Sequence, residues 1–281
     1  MLRAPRAGLG GGHVESSAFE VSSQMQRFGR ATSWVVSAVG VLAVSVVAVG
    51  WAEAQMQAWE DIGYFSINYS YQSGDRAFEE SLSETVFAEE ATYDVSHLSG
   101  GGGQFDVGGG LRVWRNLAAG VAVTSFSTSD GAVIDGSVPH PLFFSRPRSA
   151  SFARADLEHN ELGVHVQAAW VIPINEKISV TVAGGPSFFS VDQSLISGVT
   201  TSEIGAPFDA VAIASAATAS VSESGVGGNV GVDAAYMVTE QLGGGLFVRW
   251  AGGTVDIPAS GGTQSIDVGG VQVGIGLRAR F

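Results

Sequence analysis

The stretch GGVQVGIGLRARF, residues 269–281, alternates between two kinds of residue. Residues of one parity are apolar or aromatic: Val271, Val273, Ile275, Leu277, Ala279 and Phe281. Residues of the other parity are polar or small: Gln272, Gly274, Gly276, Arg278 and Arg280. Because successive side chains of a strand point to opposite faces, this period predicts a strand with one apolar and one polar face. The surroundings of each face therefore decide the class of protein.

Seven further segments repeat this alternation, at 63–72, 104–114, 117–126, 161–172, 177–188, 228–238 and 242–251. A strand that crosses a bilayer at a tilt needs roughly 9–11 residues, which is close to the length of each segment. Tight turns join alternate pairs of segments, whereas the other connections are long: 73–103, 127–160, 189–227 and 252–266. Short turns at one end and long loops at the other are typical of outer-membrane β-barrels. Within the third loop, 210–225 partly alternates, so we expect it to extend its hairpin beyond the membrane.

The polar parity is dominated by Gly, Ala, Ser and Thr, and such small residues allow a narrow barrel to close. A soluble β-barrel or sandwich, with its apolar face inward, is the alternative. Aromatic residues near both strand ends favour the membrane barrel, because aromatic girdles mark the two interfaces. One predicted girdle contains Phe65, Trp170, Tyr236 and Phe281, and the other contains Tyr69, Tyr71, Phe105, Phe188 and Trp250. We predict an all-β fold, an eight-stranded antiparallel up-and-down transmembrane β-barrel.

The N-terminal region has the pattern of a secretory signal peptide. Two arginines precede an apolar run, which is followed by an A-x-A cleavage site at 52–54. We expect translation to start at Met25, which makes 1–24 a misassigned extension and 25–54 the signal peptide. An uncleaved membrane anchor is the alternative. The barrel domain then comprises 55–281.

Composition argues against several kinds of site. Cys is absent, so neither a disulfide nor a thiolate metal site can form. The formal net charge of -13 disfavours a nucleic-acid partner. The five histidines are scattered, and none has a second His at metal-ligand spacing. We therefore predict no metal site and no cofactor.

The signal peptide, eight alternating segments, tight turns, long loops and final LRARF resemble the small outer-membrane β-barrel family of Gram-negative bacteria. The OmpA transmembrane domain, OmpX and the opacity-like proteins belong to that family. The resemblance covers 63–281 and is architectural, without a family-specific catalytic motif. It implies a location in the cell outer membrane, in contact with its lipid and lipopolysaccharide. It also implies that Phe281 is an assembly signal, read by the barrel-assembly machinery.

Charged residues of the polar parity are candidates for the barrel interior. An eight-stranded barrel has room inside only for side chains, and buried charges must be paired. We predict a lumen polar network in which Asp106 or Asp233 pairs with Arg249. Its members are Asp106, Arg112, His165, Asp233, Arg249 and Arg278. A narrow gated pore or small-solute channel is the alternative.

The long loops carry the candidate residues for surface interaction. The first loop is acidic and suggests divalent cations or a basic partner. The second combines phenylalanines with arginines and suggests lipopolysaccharide phosphates or a protein partner. The candidate residues are Glu79, Glu80, Glu89, Glu90, Phe143, Phe144, Arg146 and Arg148.

We predict a structural or surface-interaction, adhesin-like role, and no enzymatic activity. A lipid A-modifying enzyme is a further alternative, because such an enzyme needs a His with Ser and a carboxylate near a barrel rim. The weak candidates are Asp94, Ser96 and His97, or Glu158 with His159.

Overall fold

Eight antiparallel strands close into a barrel, in which each strand pairs with its neighbours in sequence and the first pairs with the last. The structure, a computed structural model, describes residues 58–259 and 262–281, without the side chains of Asp75, Arg76, Ser99 and Ala259. The predicted extension 1–24 and signal peptide 25–54 lie outside the described residues. The strands are β1 (Gly63–Val86), β2 (Glu89–Trp114), β3 (Leu117–Val138), β4 (Arg148–Pro173), β5 (Ile178–Glu203), β6 (Val211–Met237), β7 (Leu242–Ala259) and β8 (Gly262–Arg280). The prediction of an eight-stranded antiparallel barrel is confirmed.

An apolar belt surrounds the half of the barrel that carries the tight turns. Its side chains point outward and are exposed, as the period-two pattern predicts for lipid-facing positions. They include Phe65, Tyr69, Tyr71, Phe105, Val121, Leu162, Phe188, Tyr236, Trp250 and Ile275. Residues of the opposite parity, such as Asn68 and Asp106, are buried in the lumen. The described residues contain no helix long and apolar enough to span a membrane.

The prediction of four long loops is wrong, because the strands continue through most of those segments. The connections at this end of the barrel are the turn at 87–88 and the loops 139–147 and 204–210, with β7 and β8 joined after Ala259. The hairpin expected at 210–225 is part of β6. We call the part of the strands beyond the belt the extension.

Polarity inverts along the strands where the extension begins. The inward parity stays the same on β3, whereas on β2 it changes, from Asp106 to Val95, across the irregularity between Leu98 and Gln104. On β3, Ala122 and Thr124 face the lumen beside the belt, and Ile134 and Val138 continue the same face with 0% exposure. Outward residues change from Val121 and Val123 to Ser127 and Ser129. The reason is the surrounding solvent: lipid selects apolar outer residues, whereas water selects polar outer residues and an apolar interior.

Backbone pairing closes the ring only around the belt. In the extension, β1 to β4 remain one sheet, whereas β5–β6 and β7–β8 continue as separate hairpins. Among the described residues, backbone pairing stops at three strand boundaries toward the far end of the extension. The last pairs are Gln72–Gln272 between β1 and β8, His159–Gln193 between β4 and β5, and Val226–Thr254 between β6 and β7. We call these boundaries the open seams. The sheet and hairpins are therefore held together in the extension by side-chain packing.

Two apolar cores fill the extension. The first contains residues from all six strands β1 to β6. Among them are Tyr93, Ile134 and Leu157 from the sheet and Ile196 and Ile213 from the β5–β6 hairpin. The second packs the β5–β6 hairpin against the β7–β8 hairpin and contains Phe189, Val191, Leu195, Ala251, Val255, Ile257, Ile266 and Val268. Burial of these side chains supplies the attraction that replaces backbone pairing across the open seams.

The position of the belt can be tested on one strand. Val121→Lys should lower the free energy of unfolding by about 2–4 kcal/mol, because it places a charge at the middle of the lipid-facing belt. Val133→Lys, outward on the same strand within the extension, should cost about 0.5 kcal/mol. Urea-induced unfolding in phospholipid vesicles measures both values. Equal losses at the two positions would place the belt elsewhere.

Candidate functional site

A buried ion-pair network occupies the lumen beside the belt. Arg278 donates from Nε to both carboxylate oxygens of Asp233, at 3.1 and 3.0 Å, and from Nη1 to Asn68 Oδ1. Asn68 in turn donates to Asp106, whose other oxygen accepts from Arg249 Nη2 at 2.7 Å. Two arginines thus bridge two carboxylates through one amide. Arg249 pairs with Asp106 rather than with Asp233.

The network continues upward through side-chain amides. Gln272 accepts from the Arg249 guanidinium at 2.7 Å and donates to Gln72 at 2.8 Å. Gln72 donates to Glu161 at 3.0 Å, and Glu161 lies 2.7 Å from His159 Nε2. His159 also contacts Gln193 through Nδ1. A continuous chain of polar groups therefore runs through the lumen, from the half that carries the tight turns to the start of the extension.

His165 belongs to a separate branch. It is 0% exposed and contacts Thr124 at 3.1 Å and Ser187 at 2.8 Å. Ser187 accepts from Asn229, which also accepts from Gln167 at 2.7 Å. The sequence reasoning missed most of the amide members of both branches, although their lumen-facing parity marks them.

Arg112 does not belong to the buried network, so that part of the prediction is wrong. Its side chain is exposed at the end of β2 that leads into a tight turn, and it donates to the backbone carbonyl of Trp59. The Trp59 side chain is 6% exposed and packs against Ala118, Ala169 and Val171. The segment before β1 therefore covers part of the barrel mouth at the tight-turn end with an indole, which the sequence reasoning did not anticipate.

A cavity of about 130 Å³ lies between this indole and the ion pairs. Trp59 and Tyr64 line the end near the mouth, whereas Asp106 and Arg249 line the end toward the centre. Phe126 and Phe189 are buried at 1% and 4% exposure next to His159 and His165. Aromatic rings and ion pairs thus fill the lumen beyond the cavity. The described residues hold no group of three or more His, Asp or Glu side chains placed to bind a metal.

Phe281 follows β8 at the tight-turn end of the barrel and is 57% exposed. Its carbonyl accepts from the amides of Ile62 and Gly63 at 2.6 and 3.0 Å, and its amide donates to the Gly63 carbonyl at 3.1 Å. The last residue therefore takes part in barrel closure through its backbone and leaves its ring on the outer surface.

Arg148 joins two loops at the far end of the extension. It is 6% exposed and forms a bidentate contact with Glu203 of β5. It also donates to the carbonyls of Pro139 and of Phe208, the latter at 2.8 Å. Hydrogen bonding to this guanidinium lowers the pKa of the Glu203 carboxyl. The prediction of Arg148 as a surface-interaction residue is wrong, because tertiary packing buries it.

Neighbouring polar contacts fix the loop 139–147 in place. Arg146 pairs with Asp209 at 3.1 Å, with both side chains more than half exposed. The buried His140 accepts the Leu142 amide at Nδ1 and lies 3.7 Å from Asp209 through Nε2. Ser145 donates its amide to Glu89 at 2.8 Å. Three hairpin ends are thereby connected.

Large apolar side chains remain exposed on these connected ends. They are Phe87 at 47%, Leu142 at 64%, Phe143 at 53%, Phe144 at 77% and Ile204 at 56%. We call these five residues the apical patch. Phe143 and Phe144 were predicted from sequence as surface residues, and Arg146 lies over the Phe143 ring at 5.6 Å.

The four candidate glutamates of β1 and β2 separate by parity. Glu79 and Glu90 are exposed and Glu89 is half-buried. Glu80 is 6% exposed and lies 3.6 Å from the buried His97, which stacks on Phe78. The prediction of Glu80 as a surface residue is therefore wrong. The even numbering that it shares with Gln72 and Leu82 identifies it as inward-facing.

The weak candidates for catalysis are not brought together. Asp94 is exposed and accepts from Ser81, whereas His97 points into the extension. Glu158 is exposed on the outer wall, whereas His159 is buried in the lumen. Period two places each histidine on the opposite face of the sheet from the other members of its group.

Solved structures with a similar backbone include outer-membrane proteins. The outer membrane protein OprG from Pseudomonas aeruginosa is 10% identical with a TM-score of 0.43, covering 79% of this chain and 96% of that chain. The attachment invasion locus protein Ail of Yersinia pestis is 12% identical with a TM-score of 0.35, covering 78% and 99%. The outer membrane protease OmpT from Escherichia coli is 9% identical with a TM-score of 0.44, covering 81% and 99%. No protein-family model and no curated protein matches the sequence.

The chain has the fold of a small outer-membrane β-barrel. Its closed ring satisfies every strand edge at the level of the belt, which is the condition for β-structure in lipid. The apolar belt around a polar lumen places this barrel in the outer membrane. The extension then lies on the extracellular side and the tight turns on the periplasmic side.

Proposed function

We propose that the protein is a non-conducting, adhesin-like barrel that presents a rigid interaction surface at the end of its extension. The observation that carries this proposal is the filled interior. Paired charges occupy the lumen beside the belt, and two apolar cores occupy the extension above it. A solute would have to displace both.

The extension supports an interaction role over a purely structural one. A barrel with only a structural role in the membrane would need no more than short connections at both ends. Here strands of up to 27 residues carry well beyond the belt, and β-structure with its own cores supports the apical patch. A rigid surface loses less conformational entropy on binding than a flexible loop does.

Electrical recording tests the non-conducting part. Purified monomer in planar bilayers should give no steady single-channel current, because breaking the Asp106–Arg249 pair would leave buried charges uncompensated. Heat-modifiable gel migration of the same preparation controls for folding. A large, steady conductance from the folded monomer would favour the narrow-pore alternative.

Cell binding tests the interaction part. Bacteria that display Phe143→Ser/Phe144→Ser should bind less to target cells than bacteria that display the parent protein at equal surface density. The matched control is Ser127→Ala/Ser129→Ala, on the outer wall of the extension away from the patch. Unchanged binding by the phenylalanine variant would refute the adhesin-like role.

A further inference from the structure

Phe87 shows an unusual backbone at the apical patch. It forms the two-residue turn between β1 and β2 with Ala88, and both residues have positive φ, at 51° and 65°. Two-residue hairpin turns of this kind favour Asn and Gly, and a bulky side chain at positive φ is costly. The cost is not offset by burial, since the ring is 47% exposed. Strained residues of this kind point to a function for the side chain.

The rest of the apical patch is held in place before any partner arrives. Ser145, next to Phe144, is bound to Glu89, two residues after Phe87. Ile204 follows Glu203, which Arg148 holds. The exposed apolar residues of three hairpin ends therefore share one preorganised surface.

Charge around the apical patch is unbalanced. The cations of the loop 139–147 and of the start of β4 are already neutralised, because Arg146 pairs with Asp209 and Arg148 pairs with Glu203. On the Phe87 side, no ion pair within the described part of the chain neutralises three carboxylates: Glu84, Glu89 and Glu90. Among the described residues, Glu84 accepts only the Tyr93 hydroxyl, at 2.8 Å. The patch thus has an acidic border along one side.

The surrounding wall has the same sign. Segments 73–103, 127–160, 189–227 and 252–266 together contain 16 acidic and four basic residues. A second copy of this chain and an anionic membrane would both be repelled at this end. A cationic surface would instead be attracted and oriented before contact.

We propose that the apical patch docks a cationic amphipathic segment of a partner protein. Its apolar side would cover Phe143, Phe144 and Phe87, and its Lys or Arg residues would lie beside Glu89 and Glu90. This inference rests on the proposed function and adds the chemistry of the partner. Charge complementarity next to preorganised aromatic residues is the arrangement that carries it.

Two synthetic helical peptides test the inference. They share the same leucine face, and the opposite face is lysine in one and glutamate in the other. Binding is measured by titration calorimetry against the full barrel in zwitterionic nanodiscs, with empty nanodiscs as the reference. The lysine peptide should bind the barrel, and its affinity should fall steeply as salt rises from about 0.05 M to about 0.5 M.

Two variants separate the apolar and the electrostatic contributions to binding of the lysine peptide. Phe143→Ser/Phe144→Ser should weaken binding of the lysine peptide by about tenfold or more. Glu89→Gln/Glu90→Gln should weaken it several-fold at low salt and remove most of the salt dependence. The control, Glu158→Gln/Asp267→Asn, makes the same charge change on exposed outer-wall residues and should leave affinity within about twofold.

The outcomes separate this inference from the proposed function. Equal binding of both peptides, lost in the phenylalanine variant, would keep an apolar interaction surface and overturn the cationic partner. Equal weakening by the control variant would also overturn it, because the charge effect would not belong to the patch. No binding of the lysine peptide beyond empty nanodiscs would overturn it, while conductance and cell binding decide the proposed function independently.

Discussion

Asp106→Ala is expected to lower the free energy of unfolding by about 3–5 kcal/mol, because it leaves a buried guanidinium without its carboxylate. Arg249 is 6% exposed, and Asp106 is the partner that neutralises its charge. The remaining contacts of Arg249, to Gln272 and over the Phe247 ring, do not supply a negative charge. Tryptophan fluorescence during urea-induced unfolding in phospholipid vesicles would measure the loss.

The double variant Asp106→Asn/Arg249→Met separates charge from packing. It removes both charges while keeping similar volumes, and such replacements are often neutral or stabilising. We expect it to be more stable than Asp106→Ala alone. Asp267→Asn, an exposed acid on β8, should change stability by about 0.5 kcal/mol or less. A double variant as unstable as Asp106→Ala would mean that shape, rather than charge pairing, governs this part of the lumen.

Arg148→Ala should destabilise the extension by about 3–5 kcal/mol, because one buried guanidinium satisfies Glu203 and two loop carbonyls. Arg146→Ala, in the adjacent loop 139–147, is the matched control. Its ion pair with Asp209 is exposed, so its loss should cost about 1 kcal/mol at most. Hydrogen exchange of the loop 204–210 and of the end of β3 would locate the effect. Similar exchange in both variants would refute the distinction.

The same pair predicts a dependence on pH. Arg148 lowers the pKa of Glu203 in the folded protein below its ordinary value of 4.5. A depressed carboxyl pKa stabilises the folded state above the unfolded-state pKa, and this contribution is lost as pH falls through the folded-state pKa. The parent protein should therefore lose extension stability below about pH 4.5, and Arg148→Ala should show a smaller acid-side loss. Identical acid profiles would contradict the linkage.

The sequence was sufficient to predict the barrel because lipid imposes a period-two pattern on every strand that crosses it. The alternation of Val271, Val273 and Ile275 predicts an outward face, and that face is exposed in the belt. The extension was predicted as loops because the search considered only strands with apolar outward residues and polar or small inward residues. On β3 the inward residues stay even-numbered but change from Thr124 to Ile134, so the same parity with inverted polarity would have revealed it.

The site was predictable only in part. Parity identified the positions of Asp106, Asp233, Arg249 and Arg278 in the lumen, but it could not assign partners, because register between distant strands sets them. Burial of Arg148 depends on how the ends of two hairpins pack, and such packing produces no periodic pattern in the sequence. The strained turn at Phe87 was likewise invisible, since a phenylalanine does not signal positive φ.

The open seams determine how the molecule would carry a pulling force. A load applied at the apical patch reaches the membrane along two routes. In the sheet of β1 to β4, backbone pairing runs from the extension to the belt with local irregularities, such as that between Leu98 and Gln104. The load is therefore shared among many hydrogen bonds in parallel. Beyond the open seams, the described residues of the β5–β6 hairpin contact neighbouring strands through side chains, without backbone pairing. Under tension that hairpin should peel away first, and the ring in the membrane should stay closed.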